Sequence, residues 1–232
     1  MDKLVIFGAA LLAVAAVGCK PSAGPSAVTG IVMVNGHRFV DLGLPSGLLW
    51  ADANIGASQT TDDGDLFSWG EIKTKPDHSW TAYTLHDADT DGVTKYNGKD
   101  RLLTLSAADD AATAAWDAPC RIPTHGEFAE LRDSANCKWT WSECVTAGGA
   151  KVKGYEVVSR HNGNRIFLPA SGYADANEWY NRGTTGDYWS STLNPVDDDF
   201  NWAYSFSFSA DYCSWCNNCR SDALSIRPVA AR

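Results

Sequence analysis

The chain has 232 residues and a formal net charge of −9 at pH 7, from 28 acidic and 19 basic side chains. Phosphate backbones are gripped by clustered Lys and Arg, and here those residues are scattered, which argues against nucleic acid as a partner. Ten Trp, eight Tyr and eight Phe supply area for both a core and a contact surface, and composition alone does not divide them between the two.

The first residues read as a targeting segment. Lys3 gives a positive start, Leu4 to Val17 is an unbroken apolar run, and Ala16-Val17-Gly18 are small residues leading into Cys19. A membrane-crossing helix needs about 20 apolar residues, and this run ends too early, so residues 1–18 are expected to be a signal peptide. The segment resembles a bacterial lipoprotein signal, in which the cysteine becomes the acylated N-terminus; Ala16 stands where such signals more often carry Leu. On that reading Cys19 carries the lipid, residues 19–29 are a tether to the membrane, and residues 30–232 form one domain. Cleavage removes one acid, Asp2, and one base, Lys3, and leaves the charge unchanged.

Within the domain, Gly30 to Val34 and His37 to Leu42 flank Asn35-Gly36, a dipeptide suited to a tight hairpin turn. From Gly43 to Asp100 the sequence is rich in Gly, Asp and Thr, which predicts loops and short strands. A first helix is expected after a Ser106 cap, with Ala108, Ala111, Ala112 and Ala115 as a close-packing stripe. A second follows a Thr124 to Glu127 capping box, with Phe128, Leu131 and Ala135 inward. Tyr155 to Ser159 and Arg165 to Leu168 flank Asn162-Gly163 as another hairpin, and Tyr188 to Ser191 is a short strand. Ala203 to Ser209 alternates, so Tyr204, Phe206 and Phe208 are expected to face a core and Ser205, Ser207 and Ser209 to face out. Leu224 to Val229 closes the chain as a strand. The expected class is α+β, two helices packed on small antiparallel sheets with a long irregular loop region.

Six strings in order carry a resemblance. Val40-Asp41-Leu42-Gly43-Leu44-Pro45-Ser46-Gly47, Phe67-Ser68-Trp69-Gly70-Glu71, Arg121-Ile122-Pro123-Thr124 with Glu127-Phe128, Phe167-Leu168-Pro169-Ala170, Tyr188-Trp189-Ser190-Ser191 and Ser225-Ile226-Arg227-Pro228-Val229 together resemble the Fibrobacter succinogenes major paralogous domain family. The resemblance implies a C-type-lectin-like fold on bacterial surface lipoproteins, a fold shared with the variable proteins of diversity-generating retroelements and with formylglycine-generating enzymes. It also implies an outer-membrane, cell-surface location. In the variable proteins a C-terminal segment before the last strand displays the binding side chains. By position that segment is here Asp197 to Asp222, and Asp199, Asn201, Trp202, Tyr212, Ser214, Trp215, Asn217, Asn218, Ser221 and Asp222 are the candidate ligand-binding residues. Their types suit adaptable contacts: Trp and Tyr give rigid area, and Ser and Asn give hydrogen bonds. Trp215, in a polar stretch, is expected to be an exposed anchor.

Other chemistry is sparse. No Gly-x-Ser-x-Gly elbow, His-Glu-x-x-His helix or phosphate loop occurs, the five histidines are dispersed, and no cofactor is implied. Cys213, Cys216 and Cys219 do not match the spacing of a formylglycine-generating oxidase. In an oxidising compartment, Cys137, Cys144, Cys213, Cys216 and Cys219 are disulfide candidates. Asp87, Asp89 and Asp91 alternate before Gly92 as in a calcium loop, but Gly98 stands at the twelfth position in place of the bidentate Glu. The expectation is a lipid-anchored binding or adhesion module, not an enzyme, for a protein or glycan ligand; the alternatives are a structural envelope lipoprotein and, behind it, a formylglycine-generating-type oxidase.

Overall fold

A computed structural model describes residues 30–146, 148–195 and 200–232. The chain is mostly β, about 40% strand and 10% helix, which corrects the α+β expectation. A β-rich chain remains compatible with a lectin-like architecture, but helix-on-sheet packing is not its plan. The reason lies in where the helices start and stop. Asp110 is extended and its carboxylate accepts from Thr113 N at 2.9 Å, so Asp110, not Ser106, caps α1 (Ala111–Trp116). Ser106 makes no cap bond and precedes only a 3₁₀ turn. Ala111 and Ala112 are buried while Ala108 and Ala115 are exposed, leaving no continuous stripe. The capping box does form on α2 (His125–Arg132): Thr124 Oγ1 accepts from Glu127 N at 3.3 Å and Glu127 Oε2 accepts from Thr124 N at 2.7 Å. That helix ends at Arg132, so Ala135 falls beyond it and is exposed.

The strands run β1 (Ile31–Val34), β2 (His37–Asp41), β3 (Leu49–Ala51), β4 (Leu66–Ser68), β5 (His86–Asp87), β6 (Gly92–Val93) and β7 (Cys120–Arg121). After α2 come β8 (Cys137–Val145), β9 (Lys151–Ser159), β10 (Arg165–Pro169), β11 (Tyr173–Asp175) and β12 (Glu178–Tyr180). The last five are β13 (Gly186–Leu193), β14 (Trp202–Phe208), β15 (Cys213–Cys219), β16 (Ala223–Ser225) and β17 (Val229–Ala230). One sheet has the order β1-β2-β3-β17-β7 and a second β10-β9-β8. The largest runs β12-β11-β16-β13-β14-β15, with β4 also paired to β16, and β5-β6 is a small ribbon.

Both Asn-Gly hairpins form where expected. At the first, Asn35 and Gly36 take φ of 49° and 83° between the paired Val34 and His37, the left-handed values such a turn requires. The closing segment divides: β16 belongs to the large sheet and β17 to the five-stranded one, with Arg227 at the crossing. Its buried guanidinium donates to Asn54 Oδ1 (2.9 Å) and to the carbonyls of Ala51 (3.1 Å), Asp52 (3.1 Å) and Phe167 (2.9 Å).

The large sheet is covered on both faces at its middle strands, β13, β14 and β16. Phe206, Phe208 and Tyr188 pack with α2 residues Phe128 and Leu131, with Trp50, and with Tyr155, Val157 and Ile166 of the three-stranded sheet. Trp189, Ala203 and Leu224 pack on the opposite side with Phe67, Trp69, Tyr96 and Ala112. Ser205 and Ser207 are therefore buried, 0% and 5% exposed, which corrects their expected exposure. Alternation reads as half-buried only when one face of a sheet is wet.

Candidate functional site

The expected display loop is a regular hairpin over most of its length. β14 and β15 pair antiparallel through seven consecutive positions, from Trp202 opposite Cys219 to Phe208 opposite Cys213, and β15 is the edge of the sheet. Because strand side chains alternate, this register splits the candidate residues. Ser214 lies opposite Ser207 on one face, while Trp215 lies opposite Phe206 on the other.

Trp215 is partly buried and packs against the main core, contrary to the expected exposed anchor. Its ring is 5.4 Å from Phe206, 6.2 Å from Phe128 and 3.9 Å from His125, and His125 in turn lies 4.5 Å from Tyr204. The helix α2 closes over the hairpin here, so the polar neighbours of Trp215 in sequence point elsewhere.

On the other face a polar network forms. Asp187, 6% exposed, accepts from Ser207 Oγ at 2.6 Å and from Thr185 Oγ1 at 2.7 Å. The Tyr212 hydroxyl is 3.2 Å from Ser207 Oγ, and that tyrosine is 46% exposed. Ser205 Oγ donates to Asn218 Oδ1 at 2.7 Å, and the Asn218 side chain also bonds the carboxylate of Asp222. Burial pushes the Asp222 carboxyl up to about 6, aided by the nearby charge of Asp175, while Asn218 and the backbone of Cys219 pull it back. Burial likewise raises Asp187, against its hydrogen bonds from Ser207 and Thr185. Tyr173 is raised by burial and then by Asp222, Asp187 and Asp175. Tyr212, Ser214, Asn218 and Asp222 thus share one surface with Asp187, Ser207 and Tyr173, which sequence reasoning passed over. The only signal for Asp187 and Ser207 was alternation along β13 and β14, and Tyr173 on β11 had none.

The remaining candidates scatter. Trp202 is 37% exposed at the start of β14, on the Trp215 side, and Asn217 is exposed on that same side. Ser221 is 2% exposed and its carbonyl accepts from Ser68 Oγ at 2.6 Å, a framework role. Asn201 lines a groove with Asp87, Asp91 and Phe200, and its Oδ1 is buried without a partner among the described residues. Asp199, and Cys19 with the whole leader, lie outside the described residues.

The calcium candidates do not converge. Asp91 accepts from Trp80 Nε1 at 3.1 Å and sits 3.0 Å from His86 Nε2. Asp87 instead accepts from Asp89 N at 3.1 Å. No three acidic, His or Cys side chains among the described residues are placed to hold one metal ion.

Cys120, Cys137, Cys144, Cys213, Cys216 and Cys219 are all free thiols, which corrects the disulfide expectation. Cys137 and Cys144 begin and nearly end β8, paired to Ser159 and Val152. Seven residues of strand separate them by about 24 Å, whereas a disulfide needs Cα atoms within about 7 Å. Cys213, Cys216 and Cys219 are strung along β15 at intervals of three, about 10 Å apart. Burial holds Cys137 up at about 12 and Cys213 at about 11, so both are protonated at neutral pH and poor nucleophiles.

Residues 153–229 match the model of a family described as "Domain of unknown function (DUF8237)". That span, a third of the chain, runs from within β9 to the start of β17 and so contains the hairpin and its polar face. No curated protein and no solved structure matches the chain.

Sequence reasoning also missed Arg220, which anchors the end of the hairpin. It is 0% exposed, donates to the Tyr83 hydroxyl (3.1 Å) and the carbonyls of Lys95 (3.1 Å) and Phe200 (3.1 Å), and lies 4.9 Å from the Trp69 ring. An arginine after a Cys/Asn-rich run carries no pattern that marks it as buried.

Proposed function

We propose that this chain is a lipid-anchored binding module on a bacterial cell surface and that the polar face of the β14–β15 hairpin meets its protein or glycan ligand. One observation carries the reading. Tyr212 is exposed just before, and Ser214 and Cys216 along, an edge strand that is paired to β14 over its whole length and pinned at its end by Arg220. Such a frame holds hydroxyl and aromatic groups in place before binding, which lowers the ordering cost of a complex. The edge of β15 also leaves backbone donors and acceptors for a partner strand. The resemblance to bacterial surface lipoproteins supports the location, and the apolar run before Cys19 supports the anchor. Among the described residues no helix is long and apolar enough to cross a membrane.

The test is a glycan and protein array probed with the detergent-solubilised protein, followed by the combined variant Tyr212→Ala, Ser214→Ala, Asn218→Ala. Loss of at least 30-fold in affinity with an unchanged melting midpoint supports the reading. Full retention of binding to the array hit overturns it. Cys19→Ala addresses the anchor separately: the variant should leave the membrane fraction, and a variant that stays mature and membrane-bound refutes the lipid.

A further inference from the structure

At the far edge of the same sheet, Trp179 stands in the open on β12. It is 45% exposed, yet it is held in place: its indole N–H donates to the Ser171 carbonyl at 2.6 Å, and the Arg182 guanidinium lies 5.1 Å from its ring. Arg182 is itself tied to Asp63 at 2.6 Å. A large exposed aromatic held by two contacts is a platform, because the rotamer freedom that binding would remove is already restricted.

The surface on either side of Trp179 is concave. One groove, of about 920 Å³, is lined by Gln59, Asp63, Asp65, Lys153 and Arg182 together with Trp179. A second, of about 270 Å³, holds Lys75, His78, Asn177 and Glu178. The two share Gly64, Asp65 and Trp179, so the indole stands between them as part of one longer cleft. The larger groove lies in the range of ligand sites, about 300–1,000 Å³.

The lining chooses the ligand class. The larger groove carries four carboxylates, Asp62, Asp63, Asp65 and Glu143, against three cations, Lys151, Lys153 and Arg182. Two of those pairs are already closed, Arg182 with Asp63 and Lys151 with Glu143. A nearly neutral field offers nothing to a polyanion. In the larger groove the apolar lining is limited to small residues and Val152 beside the one aromatic; the smaller groove adds Pro76, two alanines and Leu66, which is only 8% exposed, so apart from Trp179 neither offers large accessible apolar side chains to seat a peptide. What remains are polar groups, among them Gln59, Asp65 and Lys153, that can exchange hydrogen bonds with hydroxyls, next to a π face that accepts the C–H side of a pyranose ring.

We infer that this cleft binds a neutral oligosaccharide, with Trp179 as the stacking platform and Gln59, Asp65 and Lys153 as the hydroxyl partners. The site is separate from the hairpin face and does not depend on it.

The full-length protein in detergent is titrated calorimetrically with cellohexaose, xylohexaose, laminarihexaose, mannohexaose and maltohexaose, and with polygalacturonate and heparin as anionic controls. At least one neutral hexaose should bind. Trp179→Ala should weaken it about 30-fold or more, the loss expected of an aromatic hot spot. Trp179→Phe, which keeps a π face, should recover part of that loss. The hairpin variant Tyr212→Ala, Ser214→Ala, Asn218→Ala should bind the hexaose as the parent does. The inference is overturned if no neutral hexaose binds, if only the anionic glycans bind, if Trp179→Ala binds unchanged with its melting midpoint intact, or if the hairpin variant alone abolishes binding.

Discussion

Trp69 and Trp189 each donate their indole N–H to a carbonyl beside the other: Trp69 Nε1 to Ser190 O at 2.8 Å, and Trp189 Nε1 to Phe67 O at 2.7 Å. Both rings are buried, 1% exposed each. The exchange ties β4 to β13, two strands that do not pair directly but flank β16 from its two sides. The three-residue β16 is thereby enclosed between two strands that are also joined to each other by side chains.

Trp69→Phe and Trp189→Phe should each lower unfolding stability by at least about 2 kcal/mol, since each change leaves a buried carbonyl without its donor and opens space around the smaller ring. Urea denaturation of the two single variants and the double variant measures this. A coupling energy of about 0.5 kcal/mol or more is expected for residues sharing one strand between them; strict additivity refutes the reciprocal tie.

Arg220 is a buried cation that forms no ion pair with a carboxylate among the described residues, stabilised by carbonyl dipoles and by the faces of Trp69, Tyr83 and Tyr96. Replacing it with Met orphans several buried acceptors, each worth about 1–3 kcal/mol, so Arg220→Met should cost about 3 kcal/mol or more. Arg220→Lys keeps the charge but not the fork of donors, and it should recover only part of the loss. Chemical denaturation curves decide the matter, and an Arg220→Met variant within 1 kcal/mol of the parent contradicts the anchoring role.

The strings that carry the resemblance fall on these same supports. Trp69, Trp189 and Arg227 are buried, Thr124 and Glu127 close the helix cap, and Val40 and Leu42 sit in the main core. Framework was legible because packing and capping demand particular residues at particular spacings. The surface was not. Asn is depleted in strands on average, so the run Cys213 to Cys219 with its Asn pair read as a loop, whereas pairing with β14 overrides local preference. Trp215 was misplaced for a related reason: its sequence neighbours are polar, but the strand turns every second side chain toward α2. Trp179 left no trace at all, because its environment is assembled from segments more than 100 residues apart, around Asp63 and Trp179.

Trp215 therefore makes a prediction opposite to that of an exposed anchor. Trp215→Ala removes ring contacts to Phe206, Phe128 and His125, and should cost about 3 kcal/mol, toward the lower end for truncating a core aromatic because the ring is only partly buried. A melting midpoint that moves by less than 2 °C would return Trp215 to the surface.

Asp222 makes the last prediction, a pH dependence whose sign follows from its environment. Burial and the neighbouring Asp175 charge raise its carboxyl from an ordinary 3.8 to about 6, so the folded domain prefers the protonated acid. The stabilisation is complete below about 3.8, where the unfolded chain is also protonated, and is lost as pH rises through about 6. At pH 7 the folded domain therefore carries a destabilising charge, worth on the order of 2 kcal/mol for a shift of this size in a partly exposed group. Asp187, raised by burial, adds in the same direction, while carboxyls held low, such as Glu127 beside Arg121, act oppositely in more acidic solution. The informative quantity is thus the difference between parent and Asp222→Asn, measured by urea denaturation from pH 4 to pH 8. The variant should be the more stable at pH 7 to 8, and its advantage should shrink toward pH 4. Curves that run parallel across that range would show that Asp222 titrates as an ordinary surface carboxylate and that the polar face is wetter than its geometry implies.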